Sequence, residues 1–276
     1  MMSLEEVHNY GGQLEHVLRM RVHPIAVKML KSEDEVPEGS IIPTRDWGYK
    51  YALCQSFARS QREGLTVAMF REDMWCVGAA IGLGLVPRID YFLEGHHGFP
   101  ESFKDLKASA EWSKNFPCFE YGLYKGILCS SINNCNFMPD VIVMHVNGMQ
   151  ATQLLTIRNW IDGKDVQAKL SGHAACVYAI VPPLLKHDCT VAIPCNGDRE
   201  LAFAQDDEII FALPLEMLPE FIAGIDHLRK YGWQLPLKQK FKEEYDLKPK
   251  DIELGIKYGL DLRKSHCRHK NLKLKN

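Results

Sequence analysis

Residues 72–85 read EDMWCVGAAIGLGL and residues 171–185 read SGHAACVYAIVPPLL, so each segment passes from a polar stretch through a cysteine into an apolar run. The same order of elements leads up to both. PIAVKML (24–30), YALCQSFARSQREG (51–64) and LTVAMF (65–70) parallel DVIVMHVN (140–147), MQATQLLTIRNWIDGK (149–164) and DVQAKL (165–170). Self-similarity at a long period points to duplication of a supersecondary unit, and a pseudo-twofold fold gathers equivalent positions near its axis. On this reading the halves span about 20–87 and 139–214, Cys76 and Cys176 are mates, and both face a shared centre. The plainer alternative is two ordinary strand–helix–strand units.

Composition narrows the class. The chain has 276 residues, 46% hydrophobic and 25% charged, the make-up of a soluble globular protein with enough apolar side chains for a core of normal density. Its 33 basic and 35 acidic residues leave a net charge of −2, so no global field draws nucleic acid. The tail RKSHCRHKNLKLKN (263–276) is strongly basic and reads as a solvated end or an interaction arm. The N-terminus, MMSLEEVHNYGG, lacks the apolar core of a signal peptide. The longest apolar runs, Trp75 to Pro87 and Ala174 to Leu185, fall short of the roughly 20 residues that span a bilayer. The expectation is a cytoplasmic protein without a membrane partner. In a reducing compartment nine cysteines are not a disulfide framework, and an odd number cannot pair completely within one chain. Core packing, metal ligation and reactive thiols are the remaining explanations.

Along the chain, residues 3–20 carry apolar positions at helical spacing behind a Ser3 helix start, and PIAVKML reads as a buried strand. The loop KSEDEVPEGS (31–40) follows. The stretch 88–126, rich in aromatic residues, Gly and Pro, interrupts the apparent repeat and reads as an insertion lying over a pocket. In 189–213, Asn196-Gly197 between apolar runs predicts a tight turn between strands, and residues 206–208 a second turn before IIFALP. An amphipathic helix is expected over 215–231 and a shorter one over 248–264. Helices alternating with apolar strands give an α/β or α+β fold with a mixed sheet. Residues 1–231 then form one domain, and residues 232–276 a C-terminal helix and basic tail.

The block LCQSFARSQREGLTVAMFREDMWCVGAAIGLGL (53–85) and the later PCNGDRELAFAQDDEIIFALP (194–214) resemble the domain of unknown function 169 family of bacterial and archaeal proteins. The resemblance rests on a Cys-Gln pair opening a helix, a Cys-x-Gly-Ala stretch ending in Leu-Gly, and a Gly-x-Arg turn before an acidic-apolar strand. It covers most of residues 20–225 and implies no catalytic role for any residue.

Cys54, Cys76, Cys176 and Cys195 fall at or beside the ends of expected elements. Cys54 belongs to the first turn of a helix, where the dipole lowers a thiol pKa. Four thiolates around one centre suit an iron–sulfur cluster or zinc. No C-x2-C pair occurs in the chain, and cysteine is also a common core residue, so a chain without a cofactor stays open. A [4Fe–4S] cluster is preferred over zinc because structural zinc usually holds small domains that cannot fold without it. Cys129 and Cys135, in ILCSSINNCNF, are a second candidate pair in what reads as a loop. GAAIGLG fits neither the dinucleotide nor the P-loop spacing; Gly78 and its neighbours offer anion-binding amides or close helix packing. Arg199 beside a tight turn is the candidate carboxylate or phosphate clamp, against a surface pair with Asp198 or Asp207. Gln55 joins Gly78 and Arg199 as a candidate ligand contact. His173, three residues before Cys176, is the candidate proton donor; the histidines at 96, 97 and 145 and those in HCRH (266–269) carry no assigned role.

The leading expectation is therefore a cytoplasmic iron–sulfur protein, redox-active or catalytic through its cluster, that acts on a small anionic molecule. It would draw on an electron-transfer partner, and its symmetry leaves room for a homodimer. The rivals are a non-catalytic small-ligand-binding module with structural cysteines and a thiol-dependent transferase using Cys76 or Cys176 as nucleophile.

Overall fold

Ser3 and Glu6 close a reciprocal capping box that starts helix α1 (Leu4–Leu18), and Arg19 ends it in the left-handed region. From there the computed structural model describes residues 2–232 and 249–260. The elements are β1 (Ile25–Leu30), α2 (Pro43–Asp46), α3 (Leu53–Glu63), β2 (Val67–Phe70), α4 (Val77–Gly82), α5 (Asp90–Leu93), α6 (Leu106–Asn115), β3 (Gly126–Ser131), β4 (Val141–Asn147), α7 (Gly148–Asp162), α8 (Ala175–Lys186), β5 (Thr190–Ala192), α9 (Asn196–Ala202), β6 (Glu208–Pro214), α10 (Leu218–Lys230) and α11 (Pro249–Lys257). By its internal contacts the chain divides into units Met1–Leu235 and Pro236–Asn276. Helix α11 is the described part of the second unit; the basic stretch 263–276 lies outside the described residues.

The fold of the first unit is mixed α/β. Its six strands form one sheet in the order β2-β3-β1-β4-β6-β5, and every pairing between these strands is antiparallel. Parallel pairing is confined to two isolated bridges, Ile41 with Val67 and Tyr51 with Met74. Both sheet faces are covered, which is why β1, β3 and β4 are buried along nearly their whole length instead of on alternate residues. On one face Leu53 and Phe57 of α3, Ala79 and Ile81 of α4, and Val177 and Ile180 of α8 pack with Ile25, Val27, Val141 and Val143. On the other, Leu14 of α1, Leu154 and Ile157 of α7, and Phe221 and Ile225 of α10 pack with Ala26, Ile142 and Met144.

The parallel drawn from the sequence fails at two points. Residues 165–170 form no strand: Val166, Ala168 and Leu170 alternate with Asp165, Gln167 and Lys169 as in a half-buried strand, but the segment pairs with no strand of the sheet and runs as a largely exposed coil. Helix α7 is also no counterpart of α3, because the two pack on opposite faces of the sheet. Strand order nevertheless repeats. β1, β3 and β2 are neighbours in that order on one side, β4, β6 and β5 on the other, with β1 and β4 adjoining at the middle. In that central pair Ile25 lies opposite Val143 and Val27 opposite Val141. A half-turn about the Ala26–Ile142 pair exchanges them, and it also superposes Met29 on His145.

Candidate functional site

Each of the four singled-out cysteines opens a helix. Cys54 is the second residue of α3 and Cys176 the second residue of α8; Cys76 and Cys195 are the N-caps of α4 and α9. All four line one cavity of about 370 Å³, within the size range of small-ligand sites. The order helix, strand, helix that carries Cys54 and Cys76 around β2 is the order that carries Cys176 and Cys195 around β5. The residues that share a place in the two halves are thus Cys54 with Cys176 and Cys76 with Cys195, a correction to the Cys76–Cys176 pairing read from the sequence.

Nearby backbone amides work to lower the thiol pKa values, those of Gly78 and Ala79 at Cys76, that of Gln55 at Cys54, and those of Ala175 and Asp198 at Cys195. Burial nonetheless dominates and raises all four thiol pKa values, most strongly for Cys176, with Asp198 adding to the rise each time. The expected lowering of Cys54 by its helix is therefore reversed, because loss of water outweighs the dipole. Cys176 senses Cys54, Cys76 and Cys195 together, so the four thiols form one electrostatic neighbourhood. All eight cysteines among the described residues are free thiols.

Asp198 is the residue that sequence reasoning passed over as a mere surface partner for Arg199. It is 1% exposed; Oδ2 accepts a hydrogen bond from the Cys195 amide at 3.0 Å, while buried Oδ1 has no partner. Cys195-Asn-Gly-Asp198 makes a capping box, so the predicted Asn196-Gly197 turn is in fact the first turn of α9. An acidic residue three positions after a potential N-cap was the available signal.

The opposite wall comes from the 88–126 insertion, which contributes His97, Glu101, Phe103 and Trp112, joined by His173 ahead of α8. The His173 ring lies 5.3 Å from Phe103 and 5.6 Å from Trp112, centroid to centroid. Burial, then the proximity of His173, lowers the His97 pKa. Trp75 stands half exposed at the rim, its indole N–H donating to Gln55 Oε1 at 3.2 Å. That oxygen also accepts from the Ala52 amide, so Gln55 caps α3 and anchors Trp75 instead of contacting a ligand.

Other candidates are dispersed. Arg199 is not part of the lining: its guanidinium donates to the Gln205 carbonyl and pairs with Asp206. Gly78 does line the cavity, whereas Gly82 allows α4 and α8 to touch, since a Cβ there would stand 2.3 Å from Val177 Cγ1. Cys129 and Cys135 are buried on opposite faces of the sheet and are not a ligand pair. Among the described residues no group of three or more His, Cys, Asp or Glu side chains is placed to hold a metal ion, and no helix is long and apolar enough to cross a membrane.

Comparison with known proteins places this architecture among uncharacterised relatives. The family described as uncharacterised ArCR, domain of unknown function 169, matches residues 13–224. An uncharacterized protein of Methanocaldococcus jannaschii is 25% identical over 232 residues, covering 83% of this chain and 97% of its own length. No solved structure matches the chain.

Proposed function

The chain belongs to the domain of unknown function 169 family, and from that premise we propose that its four-cysteine cavity holds a [4Fe–4S] cluster and that the protein is redox-active or catalytic through it. The supporting observation is that Cys54, Cys76, Cys176 and Cys195, scattered over the sequence, all line one cavity from the starts of four helices. A cubane holds its ligand sulfurs on the order of 6–7 Å apart, with metal–sulfur bonds near 2.3 Å, so its ligands ring a space and do not meet at a point. Zinc would need them to meet. Backbone amides beside three of the sulfurs are positioned to tune the potential of such a cluster. The raised thiol pKa values disfavour the thiol-dependent transferase, which needs a thiolate at neutral pH, whereas metal bonding deprotonates a buried cysteine outright.

On this reading a small molecule would bind beside the cluster, and an electron-transfer partner would supply the electron. A reducing, cytoplasmic setting suits both free thiols and a cluster. The competing reading, a ligand-binding module whose cysteines only pack, draws on the same aromatic wall.

Analysis of iron and acid-labile sulfide in anaerobically purified protein decides between them. The expected result is brown protein with about four irons and four sulfides per chain and broad absorption near ~400 nm. Colourless protein with all four thiols titratable after unfolding and no bound iron overturns the cluster.

A further inference from the structure

We infer that the molecule taken up beside the four cysteines is a small organic cation, an alkylated ammonium. This deepens the proposed function and in its charge argument rests on it. Four features of the cavity converge. First, no lysine or arginine lines it. Arg199, the one guanidinium expected there, is tied to the Gln205 carbonyl and Asp206. An anionic substrate would therefore meet no cationic side chain of lysine or arginine.

Second, the lining is rich in ring faces. Trp75, Phe103 and Trp112 all contribute, and both indole N–H groups are already engaged, Trp75 with Gln55 and Trp112 with Ser171. The rings are left to interact through their faces, whose quadrupole attracts a cation and favours alkylated ammonium groups in particular. Phe103, Trp112 and His173 brace one another, so the wall is fixed before a ligand arrives. Third, Glu101 at the mouth has neither an ion pair nor a hydrogen bond among the described residues, which leaves its carboxylate free for an incoming positive charge. Fourth, a cluster held by four thiolates is net negative. His97 and His173 are the remaining basic groups of the lining, and burial favours the neutral form of His97. With the proposed cluster in place the interior is negatively charged, while the walls are aromatic and the entrance is acidic.

The test is isothermal titration of anaerobically purified protein with three probes of similar shape: choline, its uncharged carbon analogue 3,3-dimethylbutan-1-ol, and pivalate. Choline should bind about tenfold or more tighter than the alcohol, and pivalate not detectably. In Glu101→Gln, an exposed position where folding is not at stake, choline should weaken by about three- to tenfold while the alcohol is unchanged. Failure of choline to bind, alcohol or pivalate binding as tightly as choline, or an unchanged choline-to-alcohol ratio in Glu101→Gln overturns the inference. Iron and sulfide assays on the same samples separate the two proposals. Choline binding to iron-free protein leaves the inference standing without the cluster, and loaded protein that ignores choline does the reverse.

Discussion

The two halves of the sheet differ less in what they build than in how they are joined. β1 to β3 and β4 to β6 repeat one strand order, and each half starts two helices on the same cavity with a cysteine. The difference lies between the last cysteine-bearing helix and the last strand. In the second half residues 203–207 suffice to link α9 to β6; in the first, residues 83–125 intervene between α4 and β3 and bring α5 and α6 with them. The metal-binding candidates are thus symmetric, while the groups that would recognise a ligand come mainly from one side. On the proposed reading, the binding centre and its selectivity lie on separate parts of the chain, so either could change without the other.

Substitution of the cysteines is the severest way to break this comparison. Cys54→Ser and Cys176→Ser, mates across the two halves, should each reduce bound iron to background with a native circular dichroism spectrum; iron retained in full by either one would show that the halves do not share the site. Next in size is a pair of core truncations. Phe57→Ala, on the cavity face, and Phe221→Ala, on the opposite face, should each cost about 3–5 kcal/mol in denaturant unfolding. Only Phe57→Ala, three residues from Cys54, should also lower iron content. Gly82→Ala tests the contact between halves, because the new methyl group meets Val177 of α8; a loss toward the upper end of about 1–3 kcal/mol is expected.

The smallest effect comes from lending one half a residue of the other. His145 is buried with Nδ1 unpartnered, and burial lowers its pKa from 6.5 to about 4. A histidine depressed in the fold stays neutral there while the unfolded chain takes up a proton. Its contribution to stability is complete above the unfolded value and is lost as pH falls from 6.5 toward 4. From about pH 7.5 to about pH 5 the native chain should lose about 2 kcal/mol from this group, and His145→Met, which borrows the equivalent residue Met29, should not. Urea titrations at the two pH values check it; equal losses in both proteins would remove His145 as the cause.

Strands β1, β4 and β6 were legible in the sequence because each has a local signature, whereas β3 was not, since Cys129 reads as part of a loop and lies in that strand. Two-sided burial writes β1, β4 and β6 as apolar runs, and Ser3 with Glu6 announces α1. The cysteines stood out by lying at element ends. Their pairing did not, since α7 occupies the stretch before α8 where the first half has only the short α2, so an alignment by order of elements slips by one helix. Residues 165–170 were misread for the same reason. Asn196-Gly197 misled because a capping carboxylate, Asp198, converts a turn signal into a helix start. The cavity wall could be guessed only as a lid, because which aromatic residues of the insertion point inward depends on contacts with His173 far along the chain.

The interleaving of the cysteines has a consequence for biosynthesis. Cys54 and Cys76 leave the ribosome well before Cys176 and Cys195, and β1 must wait for β4 before the middle of the sheet exists. On the proposed reading a nascent first half offers two of the four ligands and cannot retain a cluster. Loading would then be a late, post-translational event, and chains stalled before residue 176 should emerge iron-free however active the assembly machinery of the cell.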